Sequence, residues 1–237
     1  MTTFNGFPQQ TVTFLLDLRH NNNREWFKTH KSEFDEYVTS PARLFSDAMI
    51  DALSKSLSEM GEDEPVKSSI FRIYRDIRFS KDKTPYKTHL SIWFWQGARP
   101  RMENSGFYFH LEPPKLMLAA GIHTFPKPVL KAYRNAVINE WSGSQLIKAL
   151  HAVQSKGDFD IGQKRYKRIP RGFAKDHPRA DFLLFSGLTA SEEDLIPEVL
   201  YTNELVDYCL KSFEWMYPLH CWLQTLLEES ENLENAS

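Results

Sequence analysis

The chain has 237 residues, of which 41 % are hydrophobic and 14 % aromatic, enough to bury a substantial core and too much apolar content for a disordered polypeptide. Its formal charge of −2 gives whole-chain electrostatics that favour neither nucleic acid nor a membrane surface. The longest apolar runs, such as Leu90 to Trp95 and Leu116 to Ile122, fall far short of the roughly 18 residues of a membrane helix, and Met1 to Pro8 lacks the pattern of a signal peptide, so a cytoplasmic protein without a membrane span is expected.

In chain order, Phe14, Leu15 and Leu18 form a short apolar stripe, and Asn21-Asn22-Asn23 can end one helix and cap the next. Trp26, Phe27, His30, Phe34 and Tyr37 recur at helical spacing until Ser40-Pro41, where a serine cap and a proline in the first turn predict a fresh start. Leu44, Phe45, Ala48, Met49, Ala52, Leu53 and Leu57 make the helix that follows amphipathic. Beyond Pro65 the residues become aromatic or β-branched between turn signals, predicting strands near 68–74, 89–96, 106–112 and 115–122. Connections as short as Glu112-Pro113-Pro114 require antiparallel neighbours. Helical spacing returns near 127–140 and 143–154. A short helix is predicted near 178–186, and Ser191 with Asp194 reads as a capped helix start. Leu205, Cys209, Phe213, Met216, His220, Leu223 and Leu227 then mark one long terminal helix containing Pro218. The expected fold is α+β, a mainly antiparallel sheet packed with N-terminal and C-terminal helices. No repeat or linker divides it, so residues 1–237 read as one domain with a helical part 9–60, a sheet 67–122 and a second helical part 126–230. Cys209 and Cys221 lie roughly 18 Å apart along a helix at 1.5 Å per residue, too far for a disulfide, and form no C-x-x-C zinc knuckle.

Charge is segregated within this bland total. Residues 67–89 carry seven basic side chains against Asp76 and Asp82, and residues 163–179 carry seven against Asp176. In the first segment Arg72, Arg75 and Arg78 lead into Lys81, Lys83, Tyr86 and Lys87. Guanidinium forks, ammonium groups and a phenol in this pattern can hold a phosphate or carboxylate, with Arg168 and Arg171 of the second segment as further candidates. The competing reading is an internal lattice in which the arginines pair with Asp76, Asp82 and acidic helix residues while the lysines are solvated. The interleaved Phe71, Tyr74, Phe79, Tyr86, Tyr166 and Phe173 admit base stacking as an alternative, although Phe71 and Ile73 fall at spacings expected of core residues.

The run from Phe71 to Asp76, continued by Arg78-Phe79-Ser80-Lys81-Asp82-Lys83-Thr84-Pro85-Tyr86-Lys87-Thr88-His89, resembles the uncharacterised bacterial and fungal family known as domain of unknown function 2461. The likeness extends to Asn22-Asn23-Arg24-Glu25-Trp26-Phe27, to Gly106 through Pro113, to Arg168 through Phe173 and to Asp176-His177-Pro178, and so spans most of the chain. It implies a single domain. It assigns no catalytic residues that could be carried over.

The phosphate-loop, dinucleotide, H-E-x-x-H and G-x-S-x-G signatures are absent. The best acid–base candidates are His110 and Glu112, two apart on a predicted strand and hence on one face, beside Tyr108. His89 opens a neighbouring strand. If His89 and His110 meet across the sheet with Glu112 or His123 nearby, they can transfer a proton or hold a metal; otherwise they are hydrogen-bonded histidines of a sheet face. No residue is assigned as a metal ligand, and no cofactor is specified. The sequence therefore points to a site for a phosphorylated or other anionic small molecule on the Arg/Lys motif, with His89, His110 and Glu112 as its chemistry. The alternatives are a non-enzymatic module for nucleic acid or an acidic protein partner, and a purely structural salt-bridge motif. Whether the chain is an enzyme, and in what oligomeric state it works, are left open.

Overall fold

The computed structural model describes residues 3–162 and 164–235; Gln163, the first residue of the second basic segment, lies outside the described residues. Helix α1 (Gln9–His20) buries Phe14, Leu15 and Leu18, the expected stripe. Asn23 caps α2 (Arg24–Thr29) by accepting the Trp26 N–H at 2.9 Å. Helix α3 (Lys31–Phe34) passes through a π-helical turn, Asp35–Thr39, directly into α4 (Ser40–Glu59). The capped restart expected at Ser40 is therefore wrong, because the backbone stays helical there. A proline cannot bond to the carbonyl four residues back and crowds it. For Pro41 that carbonyl belongs to Tyr37, and it accepts a hydrogen bond from the Thr11 hydroxyl instead.

Among the described residues the strands β1 (Lys67–Ile70), β2 (Leu90–Trp95), β3 (Gly106–Glu112), β4 (Lys115–Ile122), β5 (Asp160–Ile161) and β6 (Leu188–Leu195) form one antiparallel sheet in the order β1-β2-β3-β4-β6-β5. The fold is α+β, as the sequence predicts. Three of the four expected strands fall within a residue of their expected limits. The strand expected over 68–74 ends at Ile70 instead. After the Phe71 N–H bonds Ser91, the chain closes a loop on itself through a Tyr74–Tyr86 bridge, Arg75 N–H to Pro85 and Lys87 N–H to Ile73. Pro85 has no N–H to continue a ladder.

Strands β5 and β6 were not legible in the sequence. The pattern at Ser191 imitates a helix cap, yet Asp160 pairs with Ser191 and Ile161 with Ala190, and Leu188 and Ala190 alternate inward. Cross-strand pairing and burial override the local capping signal. The helix expected near 178–186 is a short 3-10 turn, Ala180–Leu184, and the residue that follows it, Phe185, is extended. Helices α5 (Lys127–Ile138) and α6 (Glu140–Gln154) meet at Asn139, which caps α6 by accepting the Ser142 N–H at 2.9 Å. Arg179, counted with the second basic segment, stops α5: its guanidinium donates to the Val137, Ile138 and Asn139 carbonyls left open at the helix end. The long helix α7 (Leu205–Asn235) buries the whole expected stripe from Leu205 to Leu227. No helix of the described residues is long and apolar enough to cross a membrane.

The chain forms two compact units. One comprises the chain through Phe94 with Tyr108–Leu118 and Glu193–Lys211; the other comprises Trp95–Phe107, Ala119–Glu192 and the chain from Ser212. In the first, Phe45 lies 5.5 Å from Phe7 and 4.8 Å from Phe109, ring centre to ring centre, at the heart of an aromatic core. In the second, Gly121 has φ +126° and approaches Leu188 so closely that a Cβ would sit 2.2 Å from its carbonyl oxygen, so only glycine fits that crossing of β4 and β6.

The second core also encloses a titratable group. His220 is fully buried, stacked on Phe107 at 4.8 Å, with Nδ1 bonded to Ser105 Oγ at 2.9 Å and Nε2 unpartnered. Burial pushes its pKa down to about 4. The folded state thus holds the imidazole neutral while the unfolded chain protonates it below its ordinary value, so this stability is full above that value and is lost as pH falls toward 4. His220→Phe is expected to flatten the pH dependence of urea unfolding by on the order of 2 kcal/mol between pH 7 and pH 5, measured from midpoints at the two values.

Candidate functional site

Strand β3 alternates strictly. Phe107, Phe109 and Leu111 point to the core side, while Tyr108, His110 and Glu112 occupy the opposite face. On β2 the same alternation buries Leu90, Ile92 and Phe94 in the core and sets Ser91 and Trp93 on the other face, with His89 just ahead of the strand in the same phase. Because β2 and β3 are neighbours, His89 and His110 meet with ring centres 4.4 Å apart, and Ser91 Oγ lies 2.9 Å from His110 Nδ1. Tyr108 Oη is 3.1 Å from the same nitrogen, and His110 Nε2 is 3.4 Å from Glu112 Oε2. One ligand atom each from His89, His110 and Glu112 lies within 4.8 Å of the others, so the structure unites all three acid–base candidates. His123 is not a member of this cluster.

Beside the cluster is a cleft of about 230 Å³ lined by Arg19, His110, Glu112, Lys115, Met117 and Glu193, with Pro113 and Pro114 at its turn. Arg19, from α1, donates to the Pro113 carbonyl at 2.7 Å and lies 3.6 Å from Glu112. Lys115 pairs with Glu193 at 2.5 Å. Burial drives His89 down to about 4, helped by its neighbour His110 and opposed by Glu112. Burial also lowers His110, against the pull of Glu112, and raises Tyr108. Burial thus favours the neutral form of both imidazoles, which with Glu112 make a donor set suited to moving a proton or ligating a cation.

The Arg/Lys motif is arranged differently. Arg75 donates to Asp82 at 2.5 Å and to the Thr84 carbonyl and hydroxyl. Arg78 grips Asp76 with Nε at 2.9 Å and Nη2 at 2.6 Å, and Lys83 donates to the Ile77 carbonyl at 2.9 Å. These bonds hold both aspartates near pKa 2, with the Arg78 side chain leading for Asp76 and the Thr84 N–H, then Arg75, leading for Asp82. Tyr86 is buried against Phe27, 4.2 Å between ring centres. Lys87 sits over the Phe71 ring at 5.2 Å, and its charge reaches both imidazoles, so it is the member of the motif that borders the histidine cluster. Arg72 and Lys81 are exposed, as are Arg168 and Arg171 in the second unit.

Two of the segments that carry the resemblance noted above, residues 22–27 and 71–89, meet at this loop. Asn22 accepts the Tyr86 N–H at 3.0 Å and donates to the Tyr86 carbonyl at 2.9 Å, while Phe27 stacks on the ring. Residues 10–222 match the family model described as "Conserved hypothetical protein (DUF2461)". The chain belongs to that family. No curated protein matches it. The family description gives no activity, so the geometry must speak for this member.

Sequence reasoning missed Arg19, Ser91, Lys115 and Glu193. Each is an ordinary polar residue in its local pattern, and only the seating of α1 and the strand order β2-β3-β4-β6 bring them to His110. The one available signal was strand parity, which puts Ser91 in phase with His89 and Lys115 in phase with Met117. Asn22→Ala removes both bonds that clamp Tyr86 and leaves its peptide groups unpaired. It is expected to lower stability by about 2 kcal/mol, read as a fall of several degrees in the thermal midpoint with secondary structure unchanged.

Proposed function

We propose that the protein binds a small anionic molecule, bearing a phosphate or carboxylate, in the cleft beside His110, and that His89, His110 and Glu112 carry whatever chemistry follows. The observation behind this reading is the convergence of those three groups, two of which, His110 and Glu112, line a cleft flanked by Arg19 and Lys115. A volume of about 230 Å³ lies below the roughly 300–1,000 Å³ of pockets for drug-sized ligands, which favours a compact polar occupant. The basic motif then serves this site indirectly. Arg75 and Arg78 tie the loop to its own aspartates, and the loop delivers Lys87 and His89 to the edge of β2. The family match runs through both compact units, which supports reading the chain as a single domain.

A second reading rests on the side chains the loop leaves outside. Phe79 is 96 % exposed and Tyr74 53 %, among the exposed Arg72, Arg78 and Lys81, a pattern compatible with stacking on a nucleic acid or contacting an acidic partner.

Thermal unfolding against inorganic phosphate, sugar phosphates, small dicarboxylates and short oligonucleotides separates the two. The cleft reading expects a rise of several degrees with at least one small anion, largely lost in Lys115→Ala and retained in Phe79→Ala. No shift with any small anion would sink it. A shift with oligonucleotides alone, lost in Phe79→Ala, would replace it with the second reading.

A further inference from the structure

We propose that His89, His110 and Glu112 are the protein ligands of a divalent transition-metal ion of the zinc class, with a coordination position left open toward the cleft. This rests on the reading of the cleft as the functional site, and names what makes that site attractive to an anion.

The first observation is a distance. His110 Nε2 and Glu112 Oε2 lie 3.4 Å apart, long for a hydrogen bond to a carboxylate, which prefers about 2.7–2.9 Å. Two ligands bound at about 2.0–2.1 Å to a tetrahedral ion are separated by about 3.4 Å, so the pair already stands at the edge length of a metal tetrahedron. The third ligand atom, on His89, lies within 4.8 Å of both, close enough to complete a face with a small rotation of the ring.

The second observation is the support behind the ligands. A metal-bound histidine needs its other ring nitrogen tied down, which fixes the tautomer and the aim of the lone pair. His110 Nδ1 faces Ser91 Oγ at 2.9 Å. With the proton on Nδ1 donated to Ser91, Nε2 presents its lone pair on the side of Glu112. The other carboxylate oxygen of Glu112 lies 3.6 Å from Arg19, whose second bond to the Pro113 carbonyl anchors the guanidinium. Two imidazoles and one carboxylate match the donor set of open, three-ligand zinc sites, and the nitrogen donors disfavour magnesium and calcium, which take oxygen.

The third observation is charge. The formal charges lining the cleft cancel in pairs, Arg19 with Glu112 and Lys115 with Glu193. An anion entering this balanced cleft finds no surplus positive charge on its walls. A dication on the His89–His110–Glu112 face supplies that surplus and a coordination position to fill.

The test uses the full-length protein, stripped with a chelator and checked for native circular dichroism, then titrated with zinc in competition with a chromophoric chelator and assayed for metal content. The expected result is one zinc per chain, with affinity reduced at least tenfold in His110→Ala, His89→Ala and the nearly isosteric Glu112→Gln, and unchanged in His123→Ala. Cobalt(II) loaded in place of zinc is expected to give visible d–d absorption that Glu112→Gln alters. No stoichiometric zinc in wild type, unchanged affinity in all three ligand variants, or an equal loss in His123→Ala would overturn the proposal. The anion panel run on stripped and zinc-loaded protein separates the two readings. Zinc binding without any anion response leaves the metal site standing and removes the anion reading, whereas an anion response in protein that binds no zinc does the reverse.

Discussion

The period-two alternation of β3 is the constraint on which the rest of the first unit depends. Phe109 and Leu111 must face the aromatic core around Phe45, and a pleated strand then has no choice but to put Tyr108, His110 and Glu112 on the other side. A slip of one residue in register would drive a carboxylate and an imidazole into that core and expose two large apolar side chains. The hydrophobic effect that holds the sheet together therefore also holds the candidate site in line. Its polar groups inherit their positions from residues they never touch.

Partial burial then sets the chemistry. His89 and His110 lie far enough from water to favour the neutral ring, while Glu112 sits at the rim, where Arg19 keeps it company. Ser91 supplies a hydrogen-bond partner to the nitrogen of His110 that faces away from the carboxylate. The loop that precedes β2 is closed by pairing among its own charged residues and clamped by Asn22 on the Tyr86 backbone. Basic residues that look in sequence like an anion trap are thus also the fasteners of the loop that presents His89.

Legibility varied with how local the deciding interaction was. The helical stripe from Leu205 to Leu227, the Asn23 cap and the strands on either side of Pro113-Pro114 were readable, because periodicity and turn chemistry act within a few residues. Ser191 misled because its capping pattern is local while its actual partner, Asp160, is 31 positions away in the chain. Ser40-Pro41 misled in the opposite sense. A π-helical turn and a hydroxyl from α1 absorbed the proline that a local rule says should break the helix. The pair His110 and Glu112 was visible from strand parity alone, whereas the distance from His89 to His110 was conditional on which strands are neighbours.

By itself the amino-acid sequence determined the α+β class, the succession of most elements, the family and the identity of three chemically capable residues, since composition and short-range spacing suffice for those. Tertiary structure alone decided that β6 inserts between β4 and β5, and that Arg19, Ser91 and Lys115 gather around His110. Those outcomes depend on contacts between residues distant in the chain. Such contacts are selected by the free energy of the whole packed molecule and leave no trace in any short window of sequence.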